Sequence, residues 1–201
     1  MSIDQISPSA AESVTVRNPA TGEVVGQVDV QSAEDVVAVV AELRSQQPDW
    51  EALRPAARAV WLRKLRDWLL DNETRLVDVL CSETGKPRAE ATFEIMVTCD
   101  AINYYADRAA KFLADEKLRP HGLLTASKKL TKVYRPYPVV GVITPWNFPL
   151  LIPGVDAVPA LLAGAAVMIK PSEVTPLSAR ELVRGWAEIG APPVLACVTG
   201  L

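Results

Sequence analysis

Two short segments hold the residue types that chemistry at a carbonyl or a nucleotide needs. The first, Gly141-Val142-Ile143-Thr144-Pro145-Trp146-Asn147-Phe148-Pro149, reads as a strand that runs out into a loop and then a helix. Its two prolines fix φ and remove backbone donors, and a loop stiffened in this way can hold an amide side chain in one orientation. Asn147 is therefore a candidate donor to a developing oxyanion; the alternative is that it caps the helix that follows. The second segment is Ile169-Lys170-Pro171-Ser172-Glu173-Val174-Thr175-Pro176. At a strand end, the Lys170 ammonium and the Glu173 carboxylate could meet the hydroxyls of an adenosine ribose, the carboxylate accepting from the diol. The alternative is a solvated loop pair. Cys81, Cys99 and Cys197 are odd in number and form no CxxC pair, so neither a disulfide framework nor a zinc site is expected. Cys197 lies between Ala196 and Val198, where a small buried thiol is inert.

The elements that must position these segments alternate. Strands are expected over 139–144, 167–170 and 194–198, with helices over 149–162 and 176–189, a pattern that builds a parallel sheet wrapped by helices. The strands are continuous apolar runs, as expected where both sheet faces are covered. A nucleotide site then lies at their C-terminal ends. Upstream, β-branched runs over 14–17 and 23–28 flank Asn18-Pro19-Ala20-Thr21-Gly22, which predicts a hairpin. Ser32 stands at an N-cap position before a helix over 33–46. A second helix starts at Pro55. Its apolar stripe is expected to be Ala57, Trp61, Leu65, Trp68 and Leu69, with Arg58, Arg63, Lys64 and Arg66 mostly solvated. A third helix over 73–84 ends at Gly85. A long one follows over 88–114, with Phe93, Val97, Ala101, Tyr104, Arg108 and Phe112 at helical spacing. A basic stretch from Pro120 leads into Lys132-Val133-Tyr134-Arg135, read as an edge strand or an arm.

Composition excludes several classes. The 201 residues are 49% apolar and 22% charged, which suits a globular protein with a real core. A net charge of −3 with intermixed signs leaves no stripe to track a phosphate backbone, so no nucleic-acid partner is expected. Met1-Ser2-Ile3-Asp4-Gln5 is not a signal peptide's opening. The longest apolar stretch, 157–169, is broken by Pro159 and Gly164 and is too short to span a bilayer. A soluble cytoplasmic protein with no membrane partner is the expectation. Residues 1–12 are expected to form a flexible N-terminus, 13–119 a hairpin and helical region, 120–137 an arm segment and 138–201 an incomplete nucleotide-binding domain.

Thr144-Pro145-Trp146-Asn147-Phe148-Pro149, followed by Lys170-Pro171-Ser172-Glu173 and Thr175-Pro176, closely resembles the aldehyde dehydrogenase superfamily. Asn18-Pro19-Ala20-Thr21-Gly22-Glu23 is similar to that family's opening hairpin, and Glu83-Thr84-Gly85-Lys86-Pro87 to its turn before the long helix. Pro136 with Pro138-Val139-Val140-Gly141-Val142 resembles its approach to the first nucleotide-domain strand, and Ala163-Gly164-Ala165-Ala166-Val167 its entry into the second. The resemblance covers residues 14–200, and the order of so many motifs leaves little room for coincidence.

The resemblance implies an α/β chain corresponding to the N-terminal part of the aldehyde dehydrogenase fold, with an incomplete Rossmann-like parallel sheet. In that family a cysteine thiolate attacks the aldehyde, an asparagine side chain helps to hold the oxyanion, hydride passes to nicotinamide, and water hydrolyses the thioester. Asn147 resembles that asparagine. Ile143, Thr144, Pro145 and Trp146 resemble the wall beside the cofactor, and Lys170, Ser172 and Glu173 the ribose-side segment. Glu173 favours NAD, with NADP possible, and a homo-oligomer is implied with 120–137 as part of its arm. The family's catalytic cysteine, its water-activating glutamate and its phosphate loop lie downstream of the residues matched here. The chain is thus expected to be an N-terminal fragment, inactive alone; the alternative is a truncated non-catalytic product that binds nucleotide weakly or assembles with longer relatives. A generic Rossmann dehydrogenase is disfavoured, because no GxGxxG follows any strand. Pro192-Pro193-Val194-Leu195-Ala196 departs from a family pattern that often carries Gly and Asn.

Overall fold

The computed structural model describes residues 12–201. All but the last position of the expected flexible N-terminus thus lies outside the described residues. The chain opens with antiparallel strands β1 (Ser13–Arg17) and β2 (Val24–Asp29). Their turn forms as expected: the Asn18 side-chain oxygen accepts the N–H of Ala20 at 2.8 Å and of Thr21 at 3.2 Å, and Gly22 takes φ +75°, a conformation that favours glycine.

Helix α1 (Ala33–Ala52) starts with a complete capping box between Ser32 and Asp35, as the expected cap requires. It does not stop at 46 but runs through Pro48. A helix-interior proline costs about 3 kcal/mol; the burial of Trp50 and Gln47 beyond or beside it offsets that cost. Trp50 Nε1 donates to the Leu161 carbonyl at 2.8 Å and Gln47 Nε2 to that of Gly164 at 2.9 Å.

Helix α2 (Pro55–Asp71) buries a face rotated from the expected stripe. Ala57 is exposed, whereas Arg58, Ala59, Leu62, Leu65 and Leu69 are buried. Arg58, expected to be solvated, is only 4% exposed. The reason is that its guanidinium works as a capping group: Nε donates to the Leu162 carbonyl at 2.9 Å and Nη1 to that of Glu51 at 3.0 Å. Helix α3 (Glu73–Thr84) ends on Gly85 at φ +70°.

The long helix α4 (Arg88–Phe112) buries Ala91, Glu94, Ile95, Thr98, Cys99, Ile102, Ala106 and Ala109. Of the expected stripe, Phe93, Tyr104 and Phe112 are exposed instead. Close packing explains the choice of face. A Cβ placed on Gly154 would stand 2.6 Å from Thr98 Cγ2, so the crossing accepts small side chains and not aromatic rings.

Strands β3 (Glu116–Leu118) and β4 (Leu130–Lys132) form a separate antiparallel ribbon joined through a 3₁₀ turn at Leu123–Thr125. The strand expected over 132–135 thus lies earlier, because its partner is 116–118. Parallel strands β5 (Val139–Ile143), β6 (Ala166–Lys170) and β7 (Leu195–Cys197) alternate with helices α5 (Leu151–Ala163) and α6 (Leu177–Glu188). The register pairs Gly141 with Met168 and Ile143 with Lys170, which puts these four on one face. That face is not covered as expected: Gly141 is exposed and Ile143 is 83% exposed. The opposite face, with Val142, Val167, Ile169 and Leu195, is buried in the core shared with α1, α2 and α4, and on the first face Ala166 at the start of β6 is buried as well. Among the described residues no helix is long and apolar enough to cross a membrane.

Candidate functional site

Both chemistry-bearing segments emerge from the C-terminal ends of neighbouring strands. Thr144 follows β5, and its backbone N–H donates to the Lys170 carbonyl at 3.1 Å, so the two loops leave the sheet side by side. They are tied again further out, where the Thr175 hydroxyl donates to the Trp146 carbonyl at 3.0 Å. Trp146 is 60% exposed and shares this rim with Ile143. The Thr144 hydroxyl is buried and has no hydrogen-bond partner among the described residues, an arrangement that calls for a polar neighbour.

Asn147 is exposed, and its side chain makes no hydrogen bond among the described residues. It does not cap α5. That role falls to Glu94, a fully buried carboxylate on α4, whose Oε2 accepts the N–H groups of Leu150 and Leu151 at 3.1 Å each. The other carboxylate oxygen, Oε1, takes a hydrogen bond from Lys86 Nζ. The same ammonium donates to the Asn147 carbonyl at 2.9 Å and stands 4.8 Å from the centre of the Phe148 ring. Asn147 is thus held by its main chain while its amide stays free.

In the second loop, Lys170 Nζ lies 3.8 Å from Glu173 Oε2. The Ser172 hydroxyl donates to Glu173 Oε2 at 3.4 Å and accepts the Val174 N–H at 3.2 Å. All three side chains are partly open to solvent, so the pair expected as the bland alternative is present and also accessible to a ligand. Behind the loop, Glu83 at the end of α3 accepts the N–H groups of Leu177 and Ser178 at 2.7 and 2.9 Å, together with the Ser178 hydroxyl. Burial pushes its carboxyl up to about 7, against those hydrogen bonds.

Neither Cys99 nor Cys197 offers an activated thiol. Burial raises Cys99 to about 11 and Cys197 to about 12. Among the described residues no cluster of three or more His, Cys, Asp or Glu side chains could hold a metal ion.

Sequence reasoning singled out the loops but not Glu83, Lys86, Glu94 or Thr175 as the groups that hold them. One signal was available: Glu94 lies between Ala91 and Ile95 and Thr98 on a helix, and a carboxylate on an otherwise apolar face needs a partner.

The aldehyde dehydrogenase family profile matches residues 6–201. A Mycobacterium tuberculosis protein named for succinate-semialdehyde dehydrogenase with NADP(+) is 38% identical over 184 residues, covering 92% of this chain and 35% of its own length. The peroxisomal aminoaldehyde dehydrogenase 2 of Pisum sativum is 35% identical, covering 98% of this chain and 40% of its own length. Among solved structures, lactaldehyde dehydrogenase from Escherichia coli superposes with a TM-score of 0.89 at 32% identity, over 96% of this chain and 40% of that one. The NAD-dependent benzaldehyde dehydrogenase from Corynebacterium glutamicum gives 0.88 at 28%, over 96% and 42%. The chain spans about 35% of the length of the first curated relatives it matches. Since the profile matches nearly the whole of it, this chain belongs to the aldehyde dehydrogenase family.

Proposed function

We propose that the rim formed by β5, β6 and their loops binds NAD, or NADP, and that the protein carrying this chain uses it to oxidise an aldehyde to a carboxylic acid. The residues present fit a dinucleotide. Ile143 and Trp146 offer exposed apolar surface, the Thr144 hydroxyl is a buried polar atom without a partner, and Lys170, Ser172 and Glu173 present a donor and acceptors at a strand end. Ile143, Thr144, Pro145 and Trp146 would line the cofactor; Lys170, Ser172 and Glu173 would meet its ribose. When bound, the nicotinamide supplies the hydride acceptor. Residues 138–201 are then the beginning of the cofactor domain, and 120–137 part of an arm for self-assembly.

Asn147 donates its side-chain amide to the aldehyde oxygen as that oxygen gains negative charge, a preorganised contact of the kind whose loss costs about 10²–10³ in rate. The observation that carries this reading is the division of labour around α5: Glu94 meets the helix amides, leaving the Asn147 amide unspent on a loop whose main chain is tethered. The test is Asn147→Ala in the aldehyde-oxidising protein. A kcat lower by about two orders of magnitude with an unchanged Kd for NAD supports it; a loss of thermal stability alone would restore the capping role.

One observation favours a second reading for the 201-residue chain by itself. Cys99 and Cys197 carry thiols raised to about 11 and about 12, far from the thiolate that covalent catalysis needs. Alone, the chain binds nucleotide weakly and turns nothing over. Aldehyde-dependent NAD reduction by the isolated chain, abolished by Cys197→Ala, would overturn this.

A further inference from the structure

We propose that Lys86 is the positioning residue for Asn147: its ammonium fixes the peptide that presents the Asn147 amide, and Glu94 fixes Lys86. The inference deepens the reading above and rests on Asn147 being the oxyanion donor.

The geometry is that of a three-way tether. Lys86 Nζ is nearly buried, with its side chain 10% exposed, and lies between two acceptors from different elements. One is the Glu94 carboxylate, fully buried on α4. The other is the Asn147 carbonyl, 2.9 Å away. A cation removed from bulk water keeps such partners because losing the carboxylate leaves its charge uncompensated and losing the carbonyl leaves a nearly buried donor unmet. Glu94 in turn is held by the Leu150 and Leu151 amides, so a continuous set of polar contacts runs from the start of α5 back to the Asn147 peptide. The neighbouring peptide is pinned independently, the Trp146 carbonyl accepting from the Thr175 hydroxyl at 3.0 Å. Consecutive carbonyls on the N- and C-terminal sides of the Asn147 Cα are therefore each fixed by a side chain from elsewhere in the fold. With Pro145 and Pro149 also restricting φ, the amide has little freedom except its own χ angles.

Capping α5 does not require Lys86, since Glu94 Oε2 meets both helix amides without it. The carbonyl contact is what Lys86 adds, and it falls on the residue whose orientation matters for a developing charge. A displacement of about 1 Å at such a donor costs on the order of 10²-fold in rate.

Nuclear magnetic resonance on the full 201-residue chain provides the first readout. Lys86→Met alone would leave Glu94 buried and unpaired, so the informative variant is Lys86→Met combined with Glu94→Gln, in which the Gln oxygen still accepts from the helix amides. Backbone order parameters at Asn147 and Phe148 should fall from about 0.85 to below about 0.6, with those across α5 unchanged. Lys86→Arg, which keeps a cationic donor, should retain rigidity. Unchanged order parameters in the double variant overturn the proposal. In the aldehyde-oxidising protein the same double variant should lower kcat at least tenfold with little change in the Kd for NAD, and Lys86→Arg should recover much of it. Asn147→Ala separates the two ideas: if it leaves kcat intact, the oxyanion assignment falls, while the order parameters still decide whether Lys86 holds the loop.

Discussion

The Glu83 carboxylate at the end of α3 accepts the backbone N–H of Ser178 at 2.9 Å, so the leading helices supply the cap of a helix that follows the second strand of the sheet. Desolvation dominates at Glu83 and lifts its carboxyl from 4.5 to about 7. Between those values the folded chain keeps a proton that the unfolded chain has released, so folding is favoured by acid in this window. The contribution is fully present below pH 4.5 and is lost as pH rises through about 7. Its size is on the order of 3 kcal/mol.

Glu83→Gln should abolish that dependence. The urea midpoint of the variant should change less than that of the parent between pH 5 and pH 7.5, and above pH 7 the variant should be the more stable of the two. Parallel pH profiles for the two proteins would show that Glu83 is ionised throughout.

Cofactor choice is the second expectation. In the proposed cofactor site Glu173 would accept from both ribose hydroxyls and repel a 2′-phosphate, and its partner Lys170 at 3.8 Å would only partly offset the charge. In a protein that carries this chain and has the proposed aldehyde-oxidising activity, Glu173→Gln should therefore shift the ratio of kcat/KM values toward NADP by about 1.5–3 kcal/mol, the range for a hydrogen bond to a charged group. Steady-state kinetics with both cofactors decides it; an unmoved ratio means that Glu173 faces only water and Lys170.

A third concerns the crossing of α4 and α5. Gly154→Ala would place a methyl carbon 2.6 Å from Thr98 Cγ2, closer than atoms pack, and should destabilise the chain by about 1–3 kcal/mol. Thr98→Ser removes that methyl group. Combined with Gly154→Ala it should recover part of the loss, so a double-mutant cycle by chemical denaturation should give a clearly non-additive result. Additive effects would mean that the helices separate freely to admit the extra carbon.

Local chemistry was legible and long-range partnership was not. Asn18, Gly22, Ser32 and Gly85 act through neighbours a few positions away, and each stands where its residue type predicts. Arg58 reads as a solvated cation because the carbonyls it serves, Glu51 and Leu162, lie on other helices. Periodicity locates α4 correctly but favours its aromatic face, since counting large apolar residues cannot register that the crossing with Gly154 selects small ones. The candidate loops were readable from their prolines and polar residues. Of their supports, Glu94 could be suspected from its place on an apolar helix face, but Glu83 and Lys86 could not, and for none of the three does the sequence show which amides or carbonyls meet it.

Helix α5 receives Glu94 at its first amides, Trp50 and Arg58 at its last carbonyls, and Gln47 at the carbonyl of Gly164 that ends it. A polypeptide cut to begin at Val139 would strip both ends at once, leaving helix-terminal groups that must find partners or water. The sheet is therefore not an exchangeable cassette. Any recombination that transplants β5, α5 and β6 into another protein has to bring the segment from Gln47 to Glu94 with it, and a protease that severs the chain between Phe112 and Val139 should leave two pieces that stay associated.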